Sequence, residues 1–305
     1  MSNRVVVIGD ALIDELRDDS GVREFVGGAA LNVAVGLCRL GVPTTLIAML
    51  GDDEAAEHIR AYLADYGVQL LASPSPLGSS RAVSTRSASG EPAYEFNAAA
   101  QARSIDFGVE IRAAIADAGI VVVSCFPFDN AEQTRLLVES LDGVSGQLAI
   151  DPNPRSGMMA DRAEFVRGFE ALASRAALVK VGEDDSILLY GEPLDVLRVR
   201  LVDLGVDAVL ATQGSSGATL EAGAITVTRP ISDLPGRIVD TMGAGDAAFA
   251  AAVAALFDRW PADQEAWGTV LERAMDVAAA TCRFEGALLR LPESLSDVDL
   301  DRIGT

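Results

Sequence analysis

Short runs of β-branched and aliphatic residues alternate along the chain with longer stretches whose apolar positions recur every three to four residues. Residues 5–8, 44–49 and 120–124 are of the first kind, and each is followed by one of the second, at 28–40, 54–66 and 131–141. The rhythm continues through 148–150, 178–181 and 208–211, and Ala-rich helical patterns begin near Gly245 and Trp267. A strand that is apolar at every position has both faces buried, which requires helices on both sides of a parallel sheet. The expected fold is therefore α/β, a three-layer αβα sandwich on a doubly wound, mostly parallel sheet. A chain of 305 residues is expected to form a single domain, 1–305, with at most a small appendage.

Two segments break the rhythm. Residues 15–26 and 81–97 are more polar, alternate as strands do (Arg81, Val83, Thr85; Tyr94, Phe96), and carry turn signals at Asp19-Ser20-Gly21 and Ser89-Gly90. They are expected to pair as a small β lid projecting from the core. Residues 73–80, with Pro74, Pro76 and Gly78, read as the linker into the second of them.

Composition narrows the function. The chain holds 45 acidic and 24 basic residues, a formal charge of −21. That balance argues against nucleic acid as a partner, because a polyanion is held mainly by Lys and Arg. It leaves room for a small anion gripped by backbone amides. Cys38, Cys125 and Cys282 lie far apart without metal-site spacing and are expected to be free thiols. The sequence MSNRVVVIGD runs straight into a strand pattern with no secretory leader, and no apolar run is long enough to span a bilayer, so a cytoplasmic protein is expected. His58, the lone histidine, sits in an acidic helical stretch, which disfavours histidine-based catalysis.

The most informative stretch is Asp240-Thr241-Met242-Gly243-Ala244-Gly245-Asp246, followed by a long Ala-rich helix. Glycines there let a ligand approach the backbone, and the opening amides of a helix have no intrahelical partner, so the pair makes an anion hole. By itself Asp246 could be a helix-dipole partner or a general base. Gly27-Gly28-Ala29-Ala30-Leu31-Asn32 leads into an earlier helix; it reads either as a tight turn or as glycines that open the backbone to a ligand beside an asparagine. Gly9-Asp10-Ala11-Leu12-Ile13-Asp14 follows the first strand, at the end of an open sheet where ligands bind.

Together, D-T-x-G-A-G-D and G-G-x-x-x-N-x-A resemble the paired signatures of ribokinase (PfkB) family carbohydrate kinases, over residues 5–292. The resemblance implies ATP-dependent phosphorylation of a monosaccharide, with Asp246 as base and the Gly243, Ala244 and Gly245 amides on the transferring phosphoryl group. Asp14, Gly27, Gly28 and Asn32 would bind the sugar, and G-D-x-L-I-D points to the fructokinase-like branch. Arg155, in Asp151-Pro152-Asn153-Pro154-Arg155, would hold a substrate oxyanion or phosphate. Lys180-Val181-Gly182-Glu183 resembles the family's N-x-x-E element, with Lys in place of Asn; Glu183 would then organise Mg²⁺ through water and Lys180 would serve the nucleotide. Thr212, Gly214 and Gly217 match a T-x-G-x-x-G loop under ATP, Ala279 would wall the adenine, and Asp240 would sit at a monovalent-cation site, implying K⁺. Where ribokinases carry a Glu this chain has Cys125, so a hexose, fructose first, is expected over ribose. A nucleoside kinase, its base slot lined by Phe126 and Phe128, and a non-catalytic sugar-binding sensor are the alternatives. Family lids also pair across dimers, so a homodimer is a further expectation.

Overall fold

A computed structural model describes residues 4–18, 21–86 and 92–295. The chain opens with β1 (Val5–Gly9), turns at Asp10-Ala11 into β2 (Leu12–Asp18) and β3 (Gly21–Gly27), and enters α1 (Ala29–Arg39). Then come β4 (Thr44–Leu50), α2 (Glu54–Asp65), β5 (Gln69–Pro74), β6 (Ser80–Arg86), β7 (Pro92–Phe96), α3 (Ala98–Gln101) and α4 (Val109–Ala116). The middle of the chain supplies β8 (Ile120–Ser124), α5 (Ala131–Leu141), β9 (Gln147–Asp151), α6 (Arg162–Ala173), β10 (Leu178–Gly182), α7 (Glu183–Tyr190) and α8 (Leu194–Asp203). Last are β11 (Ala208–Thr212), the hairpin β12 (Ala218–Ala222) and β13 (Ile225–Arg229), α9 (Ala244–Asp258) and α10 (Gln264–Thr281).

Among the described residues nine strands form one sheet in the order β13-β12-β11-β10-β9-β8-β1-β4-β5, parallel except at β12, which is antiparallel to both β11 and β13. The continuous apolar runs do what their composition demands. Val5 and Val7 point into one core with α1, α9 and α10, whereas Val6 and Ile8 point into another with α5, α6 and α8. Val209 and Leu210 part in the same way. With both faces covered, only the strand ends are open to a ligand.

The second sheet has the order β3-β2-β6-β7, with an inner β2–β6 pair that is parallel and antiparallel pairs outside it. It starts earlier than the polar pattern suggests, at Leu12 rather than residue 15, because Leu12 and Ile13 are strand residues whose side chains are buried at the sheet's root. Asp14 is thus the third residue of β2 and belongs to the small sheet. The expected linker at 73–80 is shorter than its prolines imply. Ser73 and Pro74 complete β5, an edge strand where a missing N–H is tolerated. Of the expected turns, Asp19-Ser20 and Ser89-Gly90 lie outside the described residues. No described helix is long and apolar enough to cross a membrane.

Candidate active site

The C-terminal ends of β1, β8, β9, β10 and β11 face the N-termini of α1 and α9, and nearly every residue singled out above lies in the crevice between them. Helix α1 begins at Gly28, whose φ of 112° excludes most side chains and where a β-carbon would lie 2.9 Å from the Asp10 carbonyl oxygen. Gly28 cannot cap its helix, so buried Asp10 does it from 20 residues away: its Oδ1 accepts the Ala30 amide at 2.9 Å. A β-carbon on Gly27 would lie 2.2 Å from Oδ2 of Asp14. The glycine pair therefore makes room for two acids.

Helix α9 begins beyond Gly243, left-handed at φ 74°, where a β-carbon would strike Ala287 at 2.6 Å. One residue into the helix, a β-carbon on Gly245 would lie 3.2 Å from Nζ of Lys180. A buried ammonium thus stands beside the unpaired amides of the opening turn, and positive charge and N–H donors converge on one point. Lys180 is held by Asp151, with Nζ 3.1 Å from Oδ2, and Asp185 lies 4.0 Å away. Burial opposes the charge on Lys180, but Asp151, Asp185 and Asp246 outweigh it and keep the group protonated.

Asp246 is buried in the first turn of α9 and faces both halves of the crevice. Its Oδ2 accepts the Asn32 amide at 2.8 Å and its Oδ1 the Asn153 amide at 3.4 Å. Burial raises its pKa, against the Asn32 hydrogen bond and the charges of Lys180 and Arg155. Asp14 stands across from it. Burial, with help from Asp10 and Asp246, pushes the Asp14 carboxyl up to about 6, while Arg155 pulls the other way. Arg155 is solvent-exposed at the mouth, close enough to influence Asp14, Asp246 and Asp10. This arrangement suits a hydroxylated substrate between Asp14 and Asp246 and an anion between Lys180 and the α9 amides.

The match to known proteins follows the same division. The model of the pfkB family of carbohydrate kinases matches residues 2–293. This chain belongs to that family. The pfkB-family chain is 27% identical over 305 residues to a fructokinase of Klebsiella pneumoniae, covering 96% of this chain and 97% of the relative. It is 24% identical over 302 residues to an ATP-dependent 6-phosphofructokinase of Thermoanaerobacterium thermosaccharolyticum, covering 95% and 91%. The fold is also that of a fructokinase with bound ATP from Xylella fastidiosa, with a TM-score of 0.82 at 19% identity, covering 99% of this chain and all of that one.

Among the residues of this pfkB-family kinase expected to meet the nucleotide, Thr212 ends β11 with its hydroxyl 3.4 Å from the Val181 carbonyl oxygen, and Gly214 and Gly217 both have positive φ. A β-carbon on Gly217 would lie 2.1 Å from the Arg229 carbonyl oxygen. Ala279 is buried in α10, and its carbonyl accepts from Arg283. Asp240 accepts the Met242 and Gly286 amides at 3.0 and 3.1 Å, tying together the two loops that flank Gly243. Glu183 opens α7 with its side chain exposed. Two positions on, Asp185 is the buried acid, accepting the Gly182 amide at 2.7 Å and facing Lys180.

Three residues of the site were not singled out by the motifs: Asp10, Asn153 and Asp185. The first two had a signal, since both lie inside quoted motifs, whereas Asp185 stands two residues beyond the end of one. Phe126 and Phe128, expected as the walls of a base slot, are fully buried; they pack edge-on with each other, and Phe128 packs edge-on with Phe165. The chain turns at Cys125, whose φ is 48°, and sends those rings into the core. All three cysteines are free, and Cys125 and Cys282 are buried.

Proposed function

We propose that the chain transfers the γ-phosphoryl group of ATP to a primary hydroxyl of a free monosaccharide, with fructose the leading substrate. The observation that carries this reading is the position of Asp246, a buried carboxylate at the junction of an anion hole and an acid-lined pocket, 2.8 Å from Asn32. As the sugar oxygen attacks the γ-phosphorus, its proton passes to Asp246, and ADP departs with the electron pair of the broken P–O bond. Lys180 and the α9 amides bear on the charge of the transferring group, and this preorganised field is the larger part of the catalysis. Asp14, Gly27, Gly28 and Asn32 orient the sugar, and Arg155 closes the mouth over it. The fructokinases among the relatives support the sugar class.

Mg²⁺, when bound, shields the phosphate charge and aligns the leaving group. Its place fits the acidic flank of Lys180, where Asp185 is buried and Glu183 reaches solvent at the start of the same helix. A monovalent cation, K⁺ by preference, fits beside Asp240, whose carboxylate keeps spare lone pairs between the two loops it joins. The small sheet acts as a lid that excludes water, and its β3 edge, with Val22 and Phe25 exposed, is the surface through which two copies would pair. With ATP as the phosphoryl donor, a cytoplasmic location is the reading that fits.

The test is ADP release measured over a panel of free hexoses and pentoses, fructose 6-phosphate and nucleosides. Fructose is expected to give the highest kcat/KM. Phosphorylation of nucleosides alone, or of none of the panel, would overturn the reading.

A further inference from the structure

Asn153 combines three features that a turn residue does not need. It is 5% exposed, it is not glycine, and it holds a φ of 40°. Asparagine tolerates the left-handed region better than most residues, but the conformation is still unfavourable, and buried examples persist where the surroundings enforce them. Here the conformation turns the side chain at the end of β9 toward α9, so that Nδ2 lies 3.4 Å from Oδ1 of Asp246 across 93 residues of sequence. The flanking motif divides its work by direction. Asp151 reaches Lys180, Asn153 reaches Asp246, and Arg155 reaches the mouth.

The two oxygens of the base are therefore held unequally. Oδ2 has a short bond from Asn32 on α1. Oδ1 has the longer contact from Asn153. With one donor on each oxygen the plane of the carboxylate is fixed, and Oδ1 is the oxygen whose donor yields more readily to an incoming hydroxyl. We infer that Asn153 is a positioning residue for the base: its amide sets the plane of the Asp246 carboxylate and presents Oδ1 to the sugar hydroxyl. The inference rests on Asp246 acting as base in the proposed phosphoryl transfer. Fixing the orientation of a reacting group is a substantial part of enzymatic rate, and small misplacement is costly.

The charged groups that face Asp246 are Lys180 of β10, Arg155 beyond β9, Asp10 beyond β1 and, from the small sheet, Asp14; Asp151 lies behind Lys180. Their balance sets the pH at which the base ionises. An amide donor to Oδ1 favours the anion, so its loss moves the acidic limb of the pH–rate profile upward.

Asn153→Gly separates the two roles the residue could have, since glycine adopts φ 40° freely and lacks the amide. With the fastest sugar of the panel, kcat is expected to fall roughly ten- to a hundredfold with KM for ATP near wild type, and the acidic limb to move up. Asn153→Asp, which places a second carboxylate against the base, should move the limb further. A Gly variant with wild-type kcat and an unmoved limb would show that only the backbone matters and overturn the inference. Asp246→Asn is measured alongside. If it keeps its turnover the base assignment itself fails, whereas an inactive Asp246→Asn beside a normal Asn153→Gly sinks only the role of Asn153.

Discussion

Lys180 and Asp151 form a buried ion pair, 3.1 Å from Nζ to Oδ2, beside Gly245 in the first turn of α9. Both groups are buried, Asp151 completely, so each depends on the other, and the ammonium still has a face toward Gly245. Breaking a buried pair by removing one partner strands a charge and costs ~3–5 kcal/mol. Lys180→Met should therefore lower both stability and phosphoryl transfer. Lys180→Met with Asp151→Leu should regain much of the stability and none of the activity. Chemical denaturation and ADP-release assays on both variants check this; a double variant with restored turnover would remove Lys180 from the chemistry.

Asp246→Asn keeps the shape of the side chain and removes the proton acceptor. Sugar and ATP binding should stay near wild type while kcat drops by two or more orders of magnitude, about the span of general acid–base catalysis. Calorimetric titration and steady-state kinetics together make the comparison, and a variant keeping about a tenth of the turnover would contradict it.

Asp14 couples recognition to stability. Its carboxyl is pushed up to about 6 from 3.8, so the folded protein retains a proton that the unfolded chain has lost. The stabilising effect is complete below the lower value and is lost as pH rises to about 6 and beyond. Asn cannot ionise. Asp14→Asn should thus be more thermostable than wild type at pH 8, by ~1–3 kcal/mol, and nearly equal to it at pH 4. The same variant should lose most of its kcat/KM for sugar and keep its affinity for ATP. Equal melting temperatures at pH 8, or a loss confined to ATP, would count against this placement.

Within α7 the buried and exposed acids can be told apart. Asp185→Asn should raise the Mg²⁺ concentration needed for half-maximal rate and lower kcat, whereas Glu183→Gln should have the smaller effect on both. Mg²⁺ titrations of the two variants decide the order; the reverse order would give the metal to Glu183.

If Asp240 holds a monovalent cation between its two loops, the rate should rise with K⁺ and less with Na⁺ at equal ionic strength. Identical rates in the two salts would leave Asp240 as a loop brace through its bonds to Met242 and Gly286 alone.

What could be read from the sequence is what is local in it. Gly243, Ala244, Gly245 and Asp246 are contiguous, so their helix start was legible, as were the alternate burials of Val5 through Ile8 that build the sheet. Contacts across the fold were not. Asp10 caps a helix 20 residues on, and Asn153 meets a base 93 residues away. Neither leaves a periodic trace. The side-chain direction set by Cys125, with its positive φ, was equally invisible, and it moved two phenylalanines from an expected wall of the site to the core. In α7, helix phase decided which acid of Glu183, Asp184 and Asp185 turned inward.

Asp14 rides on the small sheet, while Asp10 and Asp246 are fixed to the main body, and those two acids disfavour the ionisation of Asp14. Where Asp14 is ionised it faces acids of the main body, a repulsion between the small sheet and the core that Arg155 offsets in part. Under the proposed function, a polyol between Asp14 and Asp246 would donate hydroxyl hydrogens to both and relieve that repulsion. After transfer the phosphate ester would set an anion against the same acids, so the repulsion that the substrate relieved would return to favour release of the product.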